Sequence, residues 1–469
     1  MTQSFLQKLN SEHAPSRWTL MKMVIALSIP AILAEVSSIV MQYIDAAMVG
    51  SLGESASAAI GLVIACTWLM NGLCISMASG YSVQVAHLVG AERYDEARSI
   101  MRQGLLSALI FGLILFAFGA SLSWPLPRWL GGAEDVVEDA TAYFLFYSLG
   151  LPFAQLRQMS GAILQCSGDM KTPSLLNIFL CGFDVIFNAL FIFPSRTVTL
   201  LGASILLPGA NMGVAGAGLG TALAEVVTGL LMTGALCFRS KHLRLSLGGS
   251  WRLRKTCFRK AMNISVPVAL EHTILNLAYI VSTGIVAPLG TTAVAAHTLA
   301  NTAESFCYMP GYGIGAAATT LVGQSLGADR RDIARRMAWL CVWLGLLVMG
   351  AAAVLMFFLA PVMMAVVTPV TAVRLLGVHI LRIEAFAEPL YSVAITAAGA
   401  MRGAGDTLVP SILVLVTMWG VRIPLSLWLA GTLGLTGVWI AMCAELCLRG
   451  VLFAVRLKQE KWLKQCVLA

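Results

Sequence analysis

The sequence predicts an all-α polytopic membrane protein, with twelve transmembrane helices in two pseudo-symmetric six-helix lobes around a central cavity. Three observations lead there: an apolar composition, twelve apolar runs of spanning length, and an internal repeat at a constant offset of 237 residues. Of the 469 residues, 58% are hydrophobic and only 12% are charged. That is too little polar surface to cover a water-soluble globule of this size.

A helix of about 20 apolar residues crosses about 30 Å of hydrocarbon. Such runs fall near 23–44, 57–80, 103–123, 137–156, 173–194, 211–237, 261–287, 293–318, 337–360, 372–396, 409–430 and 435–455. A β-barrel would show short alternating segments instead. The first 22 residues are polar, and the run after them is too long for a signal-peptide core and lacks a small-residue cleavage site, so it reads as the first span. Basic residues near span ends stay in the cytoplasm. Counted over alternate loops, 25 Lys and Arg lie on one side and 3 on the other, the three being Arg128, Arg196 and Arg374. Both termini are therefore expected in the cytoplasm. The net charge of +8 follows from this bias, so it calls for no nucleic-acid partner. None of the eleven cysteines falls in a predicted outer loop and no CxxC pair occurs, which points to neither disulfides nor a metal cluster.

The repeat organises the spans. GAERYDEAR (Gly90 to Arg98) matches GADRRDIAR (Gly327 to Arg335), and the same offset of 237 pairs Ser28 and Pro30 with Ser265 and Pro267. It also pairs Leu52-Gly53 with Leu289-Gly290, and Gly168, Asp169 and Pro173 with Gly405, Asp406 and Pro410. Later the offset falls to 221, pairing Gly213 and Gly216 with Gly434 and Gly437, so the first half carries 16 extra residues in the outer loop around Ser195–Ala210. With an even number of spans each, the halves keep one orientation and are related by a two-fold axis along the membrane normal. The expected organisation is a cytoplasmic segment 1–22, a lobe 23–237, a basic linker 238–260, a second lobe 261–456 and a tail 457–469. In each repeated loop Gly ends the second helix and the Arg/Asp cluster makes an ion-paired turn. A local turn is favoured here over a lock between the lobes. Pro30 and Pro267 remove a backbone donor and are expected to bend the first helix of each lobe.

An ionisable group at membrane depth is costly unless paired or hydrated, so each is a functional candidate. The candidates are Glu35, Asp45, Asp184, Glu225, Glu271, His272, Glu304, Glu384, Glu388 and Glu445, with Arg382 and Arg422 as the main fixed cations. An excess of carboxylates suits cation binding. Asp45 sits at the outer end of its run and reads equally well as a helix-end residue. Asp184 and Asn188, four apart, share a helix face. Glu35 and Gln42, seven apart, share another. Glu271-His272 follow Pro267 closely, and Glu388 precedes Pro389, which breaks the span and exposes backbone carbonyls. For these last residues, mutual pairing across helices is an equally open reading. His87, His297 and His379 read as packing or interface residues.

At this point the chain resembles a family. IDAAMVGSLG (Ile44 to Gly53), Pro30, the turns QCSGDMKTP and MRGAGDTLVP and the paired loops look like the multidrug and toxic compound extrusion (MATE) transporters over about Leu27 to Arg456, closer to the DinF-like than the NorM-like branch. The resemblance implies an antiporter in which H⁺ or Na⁺ drives export of organic, often cationic and amphipathic compounds by alternating access of the lobes. It implies no cofactor beyond the coupling ion, with Na⁺ at most transient, and a multi-pass location in a bacterial-type inner membrane. Asp45 matches the family's first-span Asp, which joins the N-lobe cation site, so Glu35, Asp45, Asp184 and Asn188 form the expected coupling set. The fifth-span pair is reversed relative to many DinF-like members, Asp first and Asn second. The NorM-type sodium site is not reproduced, since Tyr391 and Leu275 stand where its acids fall. Gln42, Glu271, His272, Glu304, Glu388 and Tyr391 then become the expected substrate or second cation site.

Rival classes fit less well. The major facilitator superfamily shares twelve spans but lacks a second RGAGDT-type turn. A lipid-linked precursor flippase of the same superfamily needs a cation-lined cavity, and only Arg382 and Arg422 lie deep. An enzyme needs a nucleophile motif, HExxH or P-loop, none of which the short inner loops carry. The expected partners are small organic substrates and the lipid bilayer, with no obligatory protein partner.

Overall fold

The computed structural model describes residues 15–200, 203–245 and 249–464. Most of the expected N-terminal segment, residues 246–248 of the linker and the end of the tail lie outside the described residues. Among the described residues, twelve long helices follow in order: α1 (Arg17–Gly50), α2 (Glu54–Gly90), α3 (Tyr94–Leu122), α4 (Glu134–Cys166), α5 (Lys171–Ile192) and α6 (Gly213–Gly234), then α7 (Lys255–Val286), α8 (Thr291–Gly327), α9 (Arg331–Val367), α10 (Thr371–Glu384 and Glu388–Ala404), α11 (Leu408–Leu433) and α12 (Leu435–Lys458). Among the described residues, nine of these are both long and apolar enough to cross a membrane. The other three are α4, α8 and α10, which are diluted by polar residues or broken. α10 runs as Thr371–Glu384 and Glu388–Ala404. Pro389, in the first turn of the second piece, has no amide hydrogen with which to continue the first.

Several helices begin earlier than their apolar runs, α1 at Arg17 and α7 at Lys255. α4 ends later, at Cys166, and this moves Arg157 from the expected loop into the helix interior, where it is buried. Discounting it leaves the basic bias at 24 against 3. Arg382 also differs from expectation, being exposed and lying over the Phe357 ring. In the longer outer loop of the first half, Pro194–Leu200 and Ala203–Ala210 pair as antiparallel strands.

α2 and α8 end on Gly90 and Gly327 as the repeat predicts. The left-handed residues that turn the chain are two positions later, Glu92 (φ 58°) and Asp329 (φ 55°), letting Arg93 N and Arg330 N reach Leu88 O and Ser325 O at 2.9 Å each. Among the described residues these loops hold local ion pairs, Arg93–Glu96 at 2.6 Å, Arg98–Asp95 at 2.7 Å and Arg330–Asp332 at 3.2 Å, and one longer-range pair, Arg335 with Glu460 of the same lobe. They brace the turn within one lobe. α1 and α7 each continue as one helix through Pro30 and Pro267.

The lobes exchange partners. α1 packs on α8, where Gly313 lies against the Ala31–Ile32 backbone, and α7 packs on α2, where Gly80 lies against Ala261 and Ser265. On the face that carries both termini, one apolar core runs through both lobes and includes Leu20, Tyr81, Ile314 and Met401. Away from that face the core divides, one part around Phe144 in the first lobe and another around Trp439 in the second. From Ser76 to Gly90 every residue of α2 is buried, whereas the half that begins at Glu54 is mixed. The lobes therefore close on the termini side and part toward the other. At the closed end the turn Lys461–Lys464 tucks Trp462 fully inside, and Glu460 holds Arg335 at 2.9 Å.

Candidate functional site

In the N-terminal lobe, α1 and α5 lie side by side and bring three of the four expected coupling residues together. The Asn188 amide nitrogen donates to Asp45 Oδ1 at 3.0 Å and to Asp184 Oδ2 at 2.9 Å. One amide thus bridges two carboxylates. Asp184 and Asn188 are each 1% exposed, and their Oδ1 atoms have no hydrogen-bond partner. The i, i+4 spacing puts both on one face of α5, and α6 makes room for them because Gly220 has no side chain to meet Asn188. Thr221 of α6 stands against Asp184 and also lines a small pocket with Asn71, Cys74, Tyr147 and Glu225. Glu35 does not join this cluster. It is partly exposed on α1, and the charge that acts on it is Arg157. Gln42 is exposed on the same helix.

Carboxylate oxygens that are buried and unpartnered suit a proton or a hard cation taken from oxygen ligands. Two negative charges linked by a single amide in a low dielectric repel strongly, and one bound positive charge relieves that repulsion. Among the described residues no group of three or more His, Cys, Asp and Glu is arranged to hold a metal ion.

Deeper in this lobe Arg157 grips Glu225 with two hydrogen bonds, 2.6 Å from Nε and 2.9 Å from Nη2, while Nη1 donates to Asn177 at 3.1 Å. The second lobe has its own buried pair within α12, where Arg449 Nε and Nη2 each donate to Glu445 at 2.8 Å. These pairs remove Glu225 and Glu445 from the free carboxylates. Arg449 stands four residues after Glu445 and was readable from spacing. Arg157 was hidden because a span's apolar run ends before its helix does.

The expected second site is spread over the C-terminal lobe. Glu271 accepts from Ser411 at 3.0 Å and lies 4.0 Å from Arg402. His272 abuts α2 at Gly72, across the lobe boundary. Tyr391 shares a 3.3 Å hydroxyl contact with Tyr312, and both rings group with Tyr308. Glu304 and Glu388 are buried together with Glu384, whose place in this cluster the span pattern alone did not single out. All four oxygens of Glu384 and Glu388 lack hydrogen-bond partners; Glu304 and Glu388 act on Glu384 as like charges, and Arg422 is the opposing charge for both Glu304 and Glu384. Arg422 is carried on a π-helical turn, Met418–Arg422, just before Pro424. His297 is a packing residue, bonded to Trp439 at 3.1 Å, and His379 is exposed.

Residues 30–190 and 267–428 each match the family described as MatE, the two stretches beginning one repeat offset apart. A probable multidrug resistance protein NorM of Thermotoga maritima is 27% identical over 99% of this chain and 97% of its own. A probable multidrug resistance protein YoeA of Bacillus subtilis is 23% identical over 91% and 90%. Neither name speaks for the DinF-like branch. Among solved structures, the outward-facing conformation of a multidrug resistance MATE transporter superposes with a TM-score of 0.87 at 20% identity, covering 97% of this chain and 98% of that one. A transporter of the MOP superfamily from Pyrococcus furiosus gives 0.86 at 18%, covering 97% of each. With the family matched over both halves and the same fold along nearly the whole chain, this protein belongs to the MatE family of multi-pass membrane transporters.

Proposed function

We propose that this transporter is a secondary antiporter that exports organic, cationic and amphipathic compounds in exchange for H⁺ or Na⁺, and that Asp45, Asp184 and Asn188 carry the coupling ion. The single observation behind this reading is the Asn188 amide bridging two carboxylates, one of which, Asp184, keeps a buried Oδ1 without a hydrogen-bond partner. Binding a proton or Na⁺ there lowers the negative charge that attracts a cationic substrate, so ion and substrate compete and each drives release of the other. Aromatic rings on the lobe boundary support the substrate class: Tyr43 stacks on Phe306 across one seam and Trp68 meets Tyr279 edge-on across the other, each pair at 5.4 Å. Such rings suit a cation with apolar parts. Glu35, partly exposed on α1, and the buried C-terminal carboxylates are further candidates for cation binding.

The basic bias argues for cytoplasmic termini in a bacterial-type inner membrane, with the cavity opening outward. Purified protein in liposomes, given a fluorescent organic cation and an imposed pH or Na⁺ gradient, tests the whole reading. Transport must follow one of the two gradients. If neither gradient moves the dye, the antiport proposal is wrong. For orientation, a single cysteine at Ser250 must stay protected from an impermeant reagent in whole cells, while one at Ser195 reacts.

A further inference from the structure

We infer that His87 and Gln324 are a pair of two-fold-related gate residues that hold the lobes shut on the face carrying the termini. His87, in the last turn of α2, shares a 2.8 Å hydrogen bond with Gly403 O at the end of α10 in the opposite lobe. A carbonyl only accepts, so Nε2 is the donor. Gln324, in the last turn of α8, donates from Nε2 to Cys166 O at the end of α4, also at 2.8 Å and also across the lobes. Both donors are buried, at 0% and 1% exposure. The donors are one repeat offset of 237 apart, and so are the acceptors. The structure therefore makes the same cross-lobe bond twice, once in each direction.

The repeated turns explain why these carbonyls are free to accept. In QCSGD, Ser167, Gly168 and Asp169 N–H groups take Ile163, Gln165 and Leu164 carbonyls and pass over Cys166. In RGAGD, Gly405 and Asp406 take Arg402 and Met401 and pass over Gly403. Gly168 (φ +95°) and Gly405 (φ +90°) supply the left-handed step that this pattern needs. The turns thus leave the Cys166 and Gly403 carbonyls without intrahelical partners, and a buried carbonyl of that kind needs a donor. The other lobe provides it. Close approach is possible because α2 and α8 meet through glycines: a Cβ on Gly90 would strike the Gln324 carbonyl, and one on Gly327 the His87 carbonyl.

This inference rests on the alternating-access reading, because a gate has meaning only if that face opens. Opening must break both bonds, and truncating either donor leaves its carbonyl buried and unsatisfied in the closed state alone. Each single alanine substitution is expected to shift the closed-to-open ratio about tenfold toward open, and the double about a hundredfold. Spin labels at Lys171 and Leu408, exposed positions one repeat apart just after the two turns, report the separation of that face by double electron–electron resonance on a cysteine-free background. Cys166 accepts through its backbone, so replacing its thiol leaves the bond. His87→Ala/Gln324→Ala must enlarge a long-distance population, whereas His87→Gln, which keeps an amide donor, must retain the parent distribution. The gate is refuted if the parent changes distance under substrate or ion gradient but the double alanine variant matches it, or if His87→Gln opens as far as His87→Ala. If the parent shows a single distance under every gradient and substrate, alternating access fails and the gate falls with it.

Discussion

Both lobes bury carboxylates, but Asp184 of the first has Asn188 and Asp45 beside it, whereas Glu384 and Glu388 of the second keep four oxygens buried without a partner. The 237-residue repeat does not copy these charges. Asp45 and Asp184 correspond to Ser282 and Val421, while Glu304, Glu384 and Glu388 correspond to Thr67, Tyr147 and Leu151. Glu35 corresponds to His272. What the repeat preserves is backbone: the glycine helix ends, the turns, and the carbonyls they leave open. Two copies of one scaffold have thus kept the parts that make them move together and diverged in the parts that bind.

The sharpest way to break this contrast is to remove charge from the first lobe. Asp184→Asn preserves shape and is expected to abolish gradient-driven transport in liposomes while normal insertion is retained. Asp45→Asn should act alike, and full transport by both would move the coupling ion to the second lobe. The next largest effect is on stability. Arg157→Ala or Glu225→Ala leaves a buried charge unpaired and should cost about 3–5 kcal/mol, while Arg157→Met with Glu225→Leu together should cost far less. Thermal unfolding in detergent compares them, and equal losses from the single and double variants would contradict the pairing. Glu445 and Arg449 should behave in the same way, so a Glu445 variant is no neutral control for transport.

A smaller effect of opposite sign is expected in the second lobe. Glu384→Met removes a buried group that has no partner and should raise stability by about 1–2 kcal/mol. A fall in stability would reveal a partner for Glu384, and a fall in transport alongside higher stability would mark it as functional. The smallest effect belongs to the exposed loop pairs, where Arg93→Ala or Arg330→Ala should change stability by less than about 1 kcal/mol. Burial pushes the Asp332 carboxyl up, but the hydrogen bond and charge of Arg330 outweigh it and hold the group below its usual range. Its small contribution is therefore present above the usual Asp range of about 4 and lost as pH falls through the lowered value. Thermal scans from neutral to acid pH should show the Arg330→Ala variant and the parent converging.

The membrane class, the twelve helices, the repeat and the glycine ends of α2 and α8 were legible in the amino-acid sequence. These depend on composition, on apolar run length and on local turn chemistry, which are properties of neighbouring residues. The pairing of Asp184 with Asn188 was legible too, because i, i+4 spacing is local. Local pattern could not show that Asp45 meets Asn188 across 143 residues of chain, that Arg157 turns inward to Glu225, or that Glu35 and Gln42 stay apart from the cluster; packing sets these. The same holds for the cross-lobe bonds. His87 and Gln324 carry no local signal of a partner, because the carbonyls they reach lie 316 and 158 residues away, on helix ends that only the packed lobes bring within reach.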